Sequence, residues 1–297
     1  MEHIMELSHV TKDYGNQKGI FDVNFTVEEG EVFGYLGPNG AGKTTTIRQL
    51  LGFQHPDSGA CKILGKNCFT QAKEIQCDLG YLAGELAFIE DMTGEKYLEF
   101  MAQMKHMKNR ERMLELIDMF ELDARGKMRK MSKGMKQKIG IICTFMAEPK
   151  VAVLDEPTSG LDPLMQNRFV ELVLEEKKKG TTILMSSHIF EEVEKTCDRT
   201  AIIRAGKIVT IEDMNSLSKK RKKIYTVTCR DEASAHRLAE DETLMVKGVD
   251  KNRVELIVTG TPAVTLQKIA VADPLDLSIK TQSLEELFMH YYGEEER

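Results

Sequence analysis

Apolar and polar positions alternate through residues 4–10 and again through 20–27, and both runs are rich in β-branched residues. A period of two predicts two strands, joined by a turn at Tyr14-Gly15-Asn16. Glu31–Leu36 is a nearly continuous apolar run leading into a glycine-rich segment, and Thr44–Leu51 then takes helical spacing. Strand, glycine loop and helix in that order predict the opening of a parallel α/β sheet. Val151–Leu154 is apolar throughout, as a strand covered on both faces would be. A helix is predicted from about Leu164 to Lys179, stopping at Gly180, with strands at Thr181–Ser186, Thr200–Arg204 and Lys207–Ile211.

Between about residues 88 and 148 the strand pattern gives way to helical periodicity, and ten of the 17 methionines fall here. Met101, Met104 and Met107 recur at helical spacing and predict gap-filling core positions of a helical subdomain. The run Lys219-Lys220-Arg221-Lys222-Lys223 marks a second boundary, read as a solvated linker over 218–223 after a first domain of residues 1–217. Beyond it, residues 224–297 predict strand, helix, strand, strand, helix, strand and a closing helix at Ser283–Tyr292, a small α+β domain of ferredoxin-like order.

The formal net charge of −6 argues against a nucleic-acid binder, which would carry a basic excess. The six cysteines include no Cys-x-x-Cys pair and sit mostly among apolar residues, so they read as small buried hydrophobes. No apolar stretch reaches the roughly 20 residues that cross a bilayer, and the N-terminus has no signal pattern. The expectation is a cytoplasmic protein whose membrane role, if any, comes through a partner.

Gly37-Pro38-Asn39-Gly40-Ala41-Gly42-Lys43-Thr44 matches the phosphate-loop pattern, with a strand before it and a helix, starting with Thr44 and Thr45, after it. Glycines let backbone N–H groups approach phosphate oxygens, and the following helix adds its N-terminal dipole. Lys43 is placed to reach the β- and γ-phosphates, and the Thr44 hydroxyl to ligate Mg²⁺. The second pattern is Val151–Leu154 ending in Asp155-Glu156-Pro157. Asp155 suits the Mg²⁺ shell, and Glu156 suits polarising an attacking water. Together the two patterns predict a P-loop NTPase of α/β fold.

With the residues that follow, the chain resembles the ATP-binding subunits of ABC transporters. Ser159-Gly160-Leu161-Asp162 is similar to the family's D-loop, and His188 stands where the family keeps its switch histidine. Tyr14 falls where an aromatic stacks on adenine, and Leu79-Gly80-Tyr81-Leu82 begins the Q-loop. The resemblance spans about residues 3–215. It implies an ATPase with ATP and Mg²⁺ as ligands, in which Glu156 is the catalytic base and His188 contacts the γ-phosphate. It also implies that two such subunits close head to tail around ATP, driving a separate membrane-spanning permease from the inner face of the cell membrane. Gly80–Glu85 and the closing segment further resemble the ABC-2 type exporters of bacteria. A non-transport ABC ATPase acting on ribosomes or DNA is the alternative; a P-loop kinase or GTPase would leave the D-loop and His188 unexplained.

Two segments depart from the family. Where the signature is usually Leu-Ser-Gly-Gly-Gln, this chain has Met131-Ser132-Lys133-Gly134-Met135. Ser132 and Gly134 are retained to meet the partner's ATP, and Lys133 points either at its γ-phosphate or to solvent. In the Q-loop, Ala83-Gly84-Glu85 replaces the metal-binding glutamine. Either Glu85 supplies an oxygen there, or Gly84 holds the position and leaves it to water.

Overall fold

Val32–Leu36 (β3), Val151–Asp155 (β7) and Thr182–Ser187 (β8) are buried at every residue, which explains why their sequences do not alternate. They are the middle of a six-stranded sheet in a computed structural model that describes residues 3–258, 262–283 and 285–287. The chain divides into two compact units after Met214.

In the first unit, His3–Asp13 (β1) and Gly19–Glu28 (β2) pair antiparallel, and Ser58–Ile63 (β4) and Lys66–Asn67 (β5) complete a small sheet in the order β2-β1-β4-β5. The large sheet has the order β10-β9-β3-β8-β7-β6, with Leu79–Leu82 (β6), Arg199–Arg204 (β9) and Lys207–Asp213 (β10). Its pairings are parallel except for β9 with β10. Helices of this unit are Lys43–Leu50 (α1), Ala72–Ile75 (α2), Gly94–Met104 (α3), Glu111–Met119 (α4), Lys133–Phe145 (α5), Pro163–Lys178 (α6) and Phe190–Thr196 (α7). The apolar core between the two sheets includes Leu7, Phe25, Phe33, Tyr35, Ile47 and Val153.

The helical subdomain is present as α3, α4 and α5, but its methionine core differs from the expected one. Met104 is 63% exposed, and α3 ends there, so Met107 lies past the helix. Leu98 and Ala102 form the buried face of α3, and the buried methionines are Met113, Met128, Met131 and Met146. Of the cysteines, Cys61, Cys68, Cys197 and Cys229 are buried as expected, whereas Cys77 is exposed. Burial pushes the Cys61, Cys143 and Cys197 thiols up to about 12.

The basic run is not an irregular linker. Met214–Lys220 (α8) carries the chain through Lys219 and Lys220, and Lys223 begins the next strand. Met214 and Leu217 are both buried, and lysine is a good helix former, so the turn continues into the charged residues. The second unit then has Lys223–Thr228 (β11), Glu232–Ala239 (α9), Met245–Asp250 (β12), Arg253–Val258 (β13), Ala263–Val271 (α10) and Asp276–Thr281 (β14). Its antiparallel sheet has the order β12-β13-β11-β14, a split βαβ arrangement with Tyr225, Val227, Leu256, Leu238 and Ile269 in its core. Most of the predicted helix at Ser283–Tyr292 lies outside the described residues.

Candidate active site

Register brings the motifs to one edge. Leu36, which ends β3, pairs with Ser187 on β8, and Asp155, which ends β7, pairs with Ser186 on the other side of β8. Leu82, which ends β6, pairs with Leu154. The carboxyl ends of β6, β7, β8 and β3 therefore lie side by side, as expected for ligand sites in open α/β sheets.

The loop after β3 folds tightly onto its neighbours. A Cβ at Gly37 would lie 2.5 Å from the Ile203 carbonyl oxygen. Gly42 caps α1 at φ 114°, where a Cβ would also strike Ile20, and it offers no side-chain oxygen to the helix. The first-turn N–H groups of α1 thus keep their positive end for a ligand. Lys43 is buried, and its Nζ donates to the carbonyls of Gly37 at 2.8 Å and Pro38 at 3.3 Å. Ala41 is buried, whereas Pro38, Asn39 and Gly40 form the exposed crest of the loop.

Thr44 Oγ1 donates to Asp155 Oδ2 at 2.9 Å, and Ser186 Oγ donates to Asp155 Oδ1 at 2.5 Å. Ser186 also receives the Glu156 N–H, at 3.2 Å on its carbonyl and 3.1 Å on its hydroxyl. Glu156 adopts φ 49°, which turns its side chain away from the strand line. One carboxylate oxygen lies 3.4 Å from Lys43 Nζ and the other 3.4 Å from His188 Nδ1. Strands β3, β7 and β8 thereby bring a cation and an imidazole each into contact with one carboxylate.

Tyr14, Asn39, Gly40, Gly42, Lys43, Thr44, Thr45 and Glu156 line one cavity of about 420 Å³. Tyr14 is half exposed, and its hydroxyl donates to Gln54 Oε1 at 2.6 Å, which fixes the ring at the cavity mouth. An aromatic ring and a glycine-lined, Lys-bearing helix N-terminus on one cavity fit a nucleotide. The Thr44 hydroxyl and Asp155 carboxylate, already in contact, are the hard oxygen donors that a magnesium ion takes.

The Q-loop follows β6 and approaches Asp155. A Cβ at Gly84 would stand 3.4 Å from Asp155 Cγ and Oδ2, whereas Glu85 is exposed. Gly84 thus lies against the Asp155 carboxylate. Burial, and after it the Asp155 charge, raises the pKa of Tyr81 on β6.

Ser132, Gly134 and Asp162 form a separate group of contacts. Ser132 caps α5 by accepting the Met135 N–H at 3.2 Å, and Asp162 caps α6 by accepting the Met165 N–H at 3.0 Å. Gly134 packs so closely that a Cβ would lie 2.8 Å from the Gly160 carbonyl oxygen. Lys133 is exposed, and its Nζ donates to Ser159 Oγ at 2.8 Å. The first turn of α5 holds no acidic residue, so its N-terminus stays electropositive.

Sequence reasoning passed over several residues here. Ser186 holds both Asp155 and the Glu156 backbone, and buried Gln137 donates to the Pro157 carbonyl at 2.7 Å. Glu192, also buried, accepts from Thr158 and Ser187; burial pushes its carboxyl above the usual range, while those two donors pull the other way. Only the strand register reveals Ser186; nothing in the local sequence marks Glu192 among its neighbouring acids.

Residues 20–159 match the family described as ABC transporter. The chain is 31% identical to an uncharacterised ABC transporter ATP-binding protein, YhcH, of Bacillus subtilis (strain 168), over 99% of this chain and 97% of that one. It is 33% identical to the bacitracin transport ATP-binding protein BcrA of Bacillus licheniformis, over 99% and 98%. Among solved structures, an ATP-binding subunit of an ABC transporter superposes with a TM-score of 0.67 at 30% identity, covering 73% of this chain and 92% of that one.

Proposed function

The chain belongs to the ABC transporter ATP-binding proteins, an ATP-hydrolysing family, and from that premise we propose that it powers export through a separate membrane permease. Among the described residues no helix is long and apolar enough to cross a membrane. The near full-length likeness to a bacitracin transport subunit supports transport over action on ribosomes or DNA.

The residues divide the chemistry among them. Tyr14 takes the adenine face, while the loop from Gly37 to Gly42, the α1 N-terminus and Lys43 take the phosphates. Thr44 and Asp155 would hold Mg²⁺, which would neutralise phosphate charge there. Glu156 accepts a proton from water as the water oxygen attacks the γ-phosphorus and the bond to the ADP oxygen breaks. His188, against the second Glu156 oxygen, orients that carboxylate. The observation that carries this assignment is the Glu156 carboxylate standing between Lys43 and His188, 3.4 Å from each. The electropositive N-terminus of α5, with Ser132 and Gly134, serves the ATP of a second subunit in a head-to-tail pair.

Light scattering of Glu156→Gln with and without Mg-ATP tests this reading. The variant should bind ATP, turn over at least about a hundredfold more slowly, and form a dimer only with nucleotide. Undiminished hydrolysis would remove Glu156 as the base, and a persistent monomer would overturn the paired arrangement.

A further inference from the structure

Glu192 is a buried acid that the hydrolytic scheme above does not use. Its carboxylate lies in α7 at 5% exposure. Thr158 Oγ1 donates to one of its oxygens, and Ser187 Oγ donates to the other at 3.2 Å. The Ser187 hydroxyl in turn accepts the Ile189 N–H at 2.9 Å, and its proton has the Glu192 carboxylate at 3.2 Å as a nearer acceptor than the Ile189 carbonyl at 3.4 Å.

The two donors belong to different functional segments. Thr158 stands two residues after Glu156, and Ser187 immediately precedes His188. The Glu156–His188 contact at 3.4 Å joins the same segments on their open side. The circuit is closed: Glu156 through the chain to Thr158, across Glu192 to Ser187, through the chain to His188, and back to Glu156. The open side of this circuit holds an exposed imidazole, and the closed side holds a buried carboxylate. Bonds to a buried carboxylate are the stronger kind, and a buried acid left unpaired would be costly.

We infer that Glu192 is a positioning residue for hydrolysis, which sets the spacing of Glu156 and His188 by clamping Thr158 to Ser187. The inference rests on Glu156 and His188 being the hydrolytic pair. Glu192 touches neither nucleotide nor the reacting water; it acts by holding the two segments in one arrangement while the site opens and closes. Without the clamp, the two side chains keep their identity and lose their mutual geometry, so turnover falls while ATP affinity holds.

The test uses the full chain and steady-state ATP hydrolysis. Thr158→Val keeps the shape and removes one donor, and Thr158→Ser restores it. Glu192→Gln keeps the shape but accepts through one oxygen only, its amide forcing a reversal of the second bond. Thr158→Val and Glu192→Gln should each lower kcat by about tenfold or more with KM for ATP within about twofold, and Thr158→Ser should stay within about twofold of the parent. Added to Glu156→Gln, Glu192→Gln should cause no further loss, because residues acting as one unit are not additive. Parental kcat in both Thr158→Val and Glu192→Gln, with Glu156→Gln inactive, would overturn this inference alone. Equal losses in Thr158→Val and Thr158→Ser, tracking lost ATP binding and thermal stability, would also overturn it. Full turnover in Glu156→Gln would overturn the hydrolytic assignment and this inference with it.

Discussion

Thr44 and Asp155 lie 111 positions apart in the chain, yet Thr44 Oγ1 donates to Asp155 Oδ2 at 2.9 Å. The contact pins the first turn of α1 to the end of β7, with Ser186 securing the other carboxylate oxygen. Two hard donors thus stand together at the carboxyl edge of the sheet, the donor type that Mg²⁺ takes. Thr44→Val and Asp155→Asn should therefore abolish the gain in ATP affinity that Mg²⁺ provides, by about tenfold or more, and leave affinity in EDTA within about threefold. Titrating a fluorescent ATP analogue in both conditions checks this; a variant that kept its Mg²⁺ enhancement would remove these two residues from the metal shell.

Gly84 gives a gain-of-contact experiment. It lies outside the positive-φ glycines, and a Cβ there meets Asp155 at 3.4 Å, an ordinary van der Waals distance. A side chain is therefore admitted, and it would start beside the Asp155 carboxylate. Gly84→Gln should fold and lower the Mg²⁺ concentration for half-maximal hydrolysis by at least about twofold, through one added oxygen donor. Glu85→Gln, at the exposed neighbouring position, should leave that concentration unchanged. The reverse result would return the metal role to Glu85.

How much of this was legible in the sequence depends on where each partner sits. The loop from Gly37 to Thr44 and the pair Asp155-Glu156 are contiguous in sequence, and their strands are apolar throughout because both faces are covered; pattern alone was enough. Ser186 was not legible, because its contact with Asp155 exists only once β8 pairs with β7 in the observed register. Choosing between Gly84 and Glu85 is a matter of one residue, which in extended chain is about 3.3 Å and reverses the direction of the side chain. Helical spacing misled at Met101, Met104 and Met107, because periodicity shows which residues share a face and not where the helix stops.

Lys133 replaces a glycine of the usual signature, and here it is tied to its own chain. Its Nζ reaches Ser159, and its methylenes lie 3.0 Å from a Cβ built on Gly160, which has φ +83°. An exposed neutral-acceptor hydrogen bond contributes about 1 kcal/mol, near a fivefold effect. Lys133→Ala in a Glu156→Gln background should raise the ATP concentration that drives dimerisation by less than about tenfold, with nucleotide binding by the monomer unaltered. Complete loss of ATP-driven dimerisation by light scattering would instead make Lys133 a direct ligand of the partner's phosphates.

Glu192 also makes a prediction about stability that runs opposite to its effect on turnover. Burial raises its carboxyl pKa above the ordinary 4.5, the Thr158 and Ser187 hydrogen bonds and the nearby His188 lower it, and Glu156 raises it; the net shift is upward. The folded chain therefore holds the Glu192 proton more tightly than the unfolded chain does. That contribution to stability is full below about 4.5 and is lost as pH rises through the folded value. Glutamine never ionises, so Glu192→Gln escapes the loss. The melting temperature of the variant, measured relative to the parent, should rise as pH increases from about 4.5, even though its kcat is lower. A difference in melting temperature that is flat or decreasing over this range would mean that Glu192 is not held against its charge, and that its carboxylate is solvated or compensated in the folded chain.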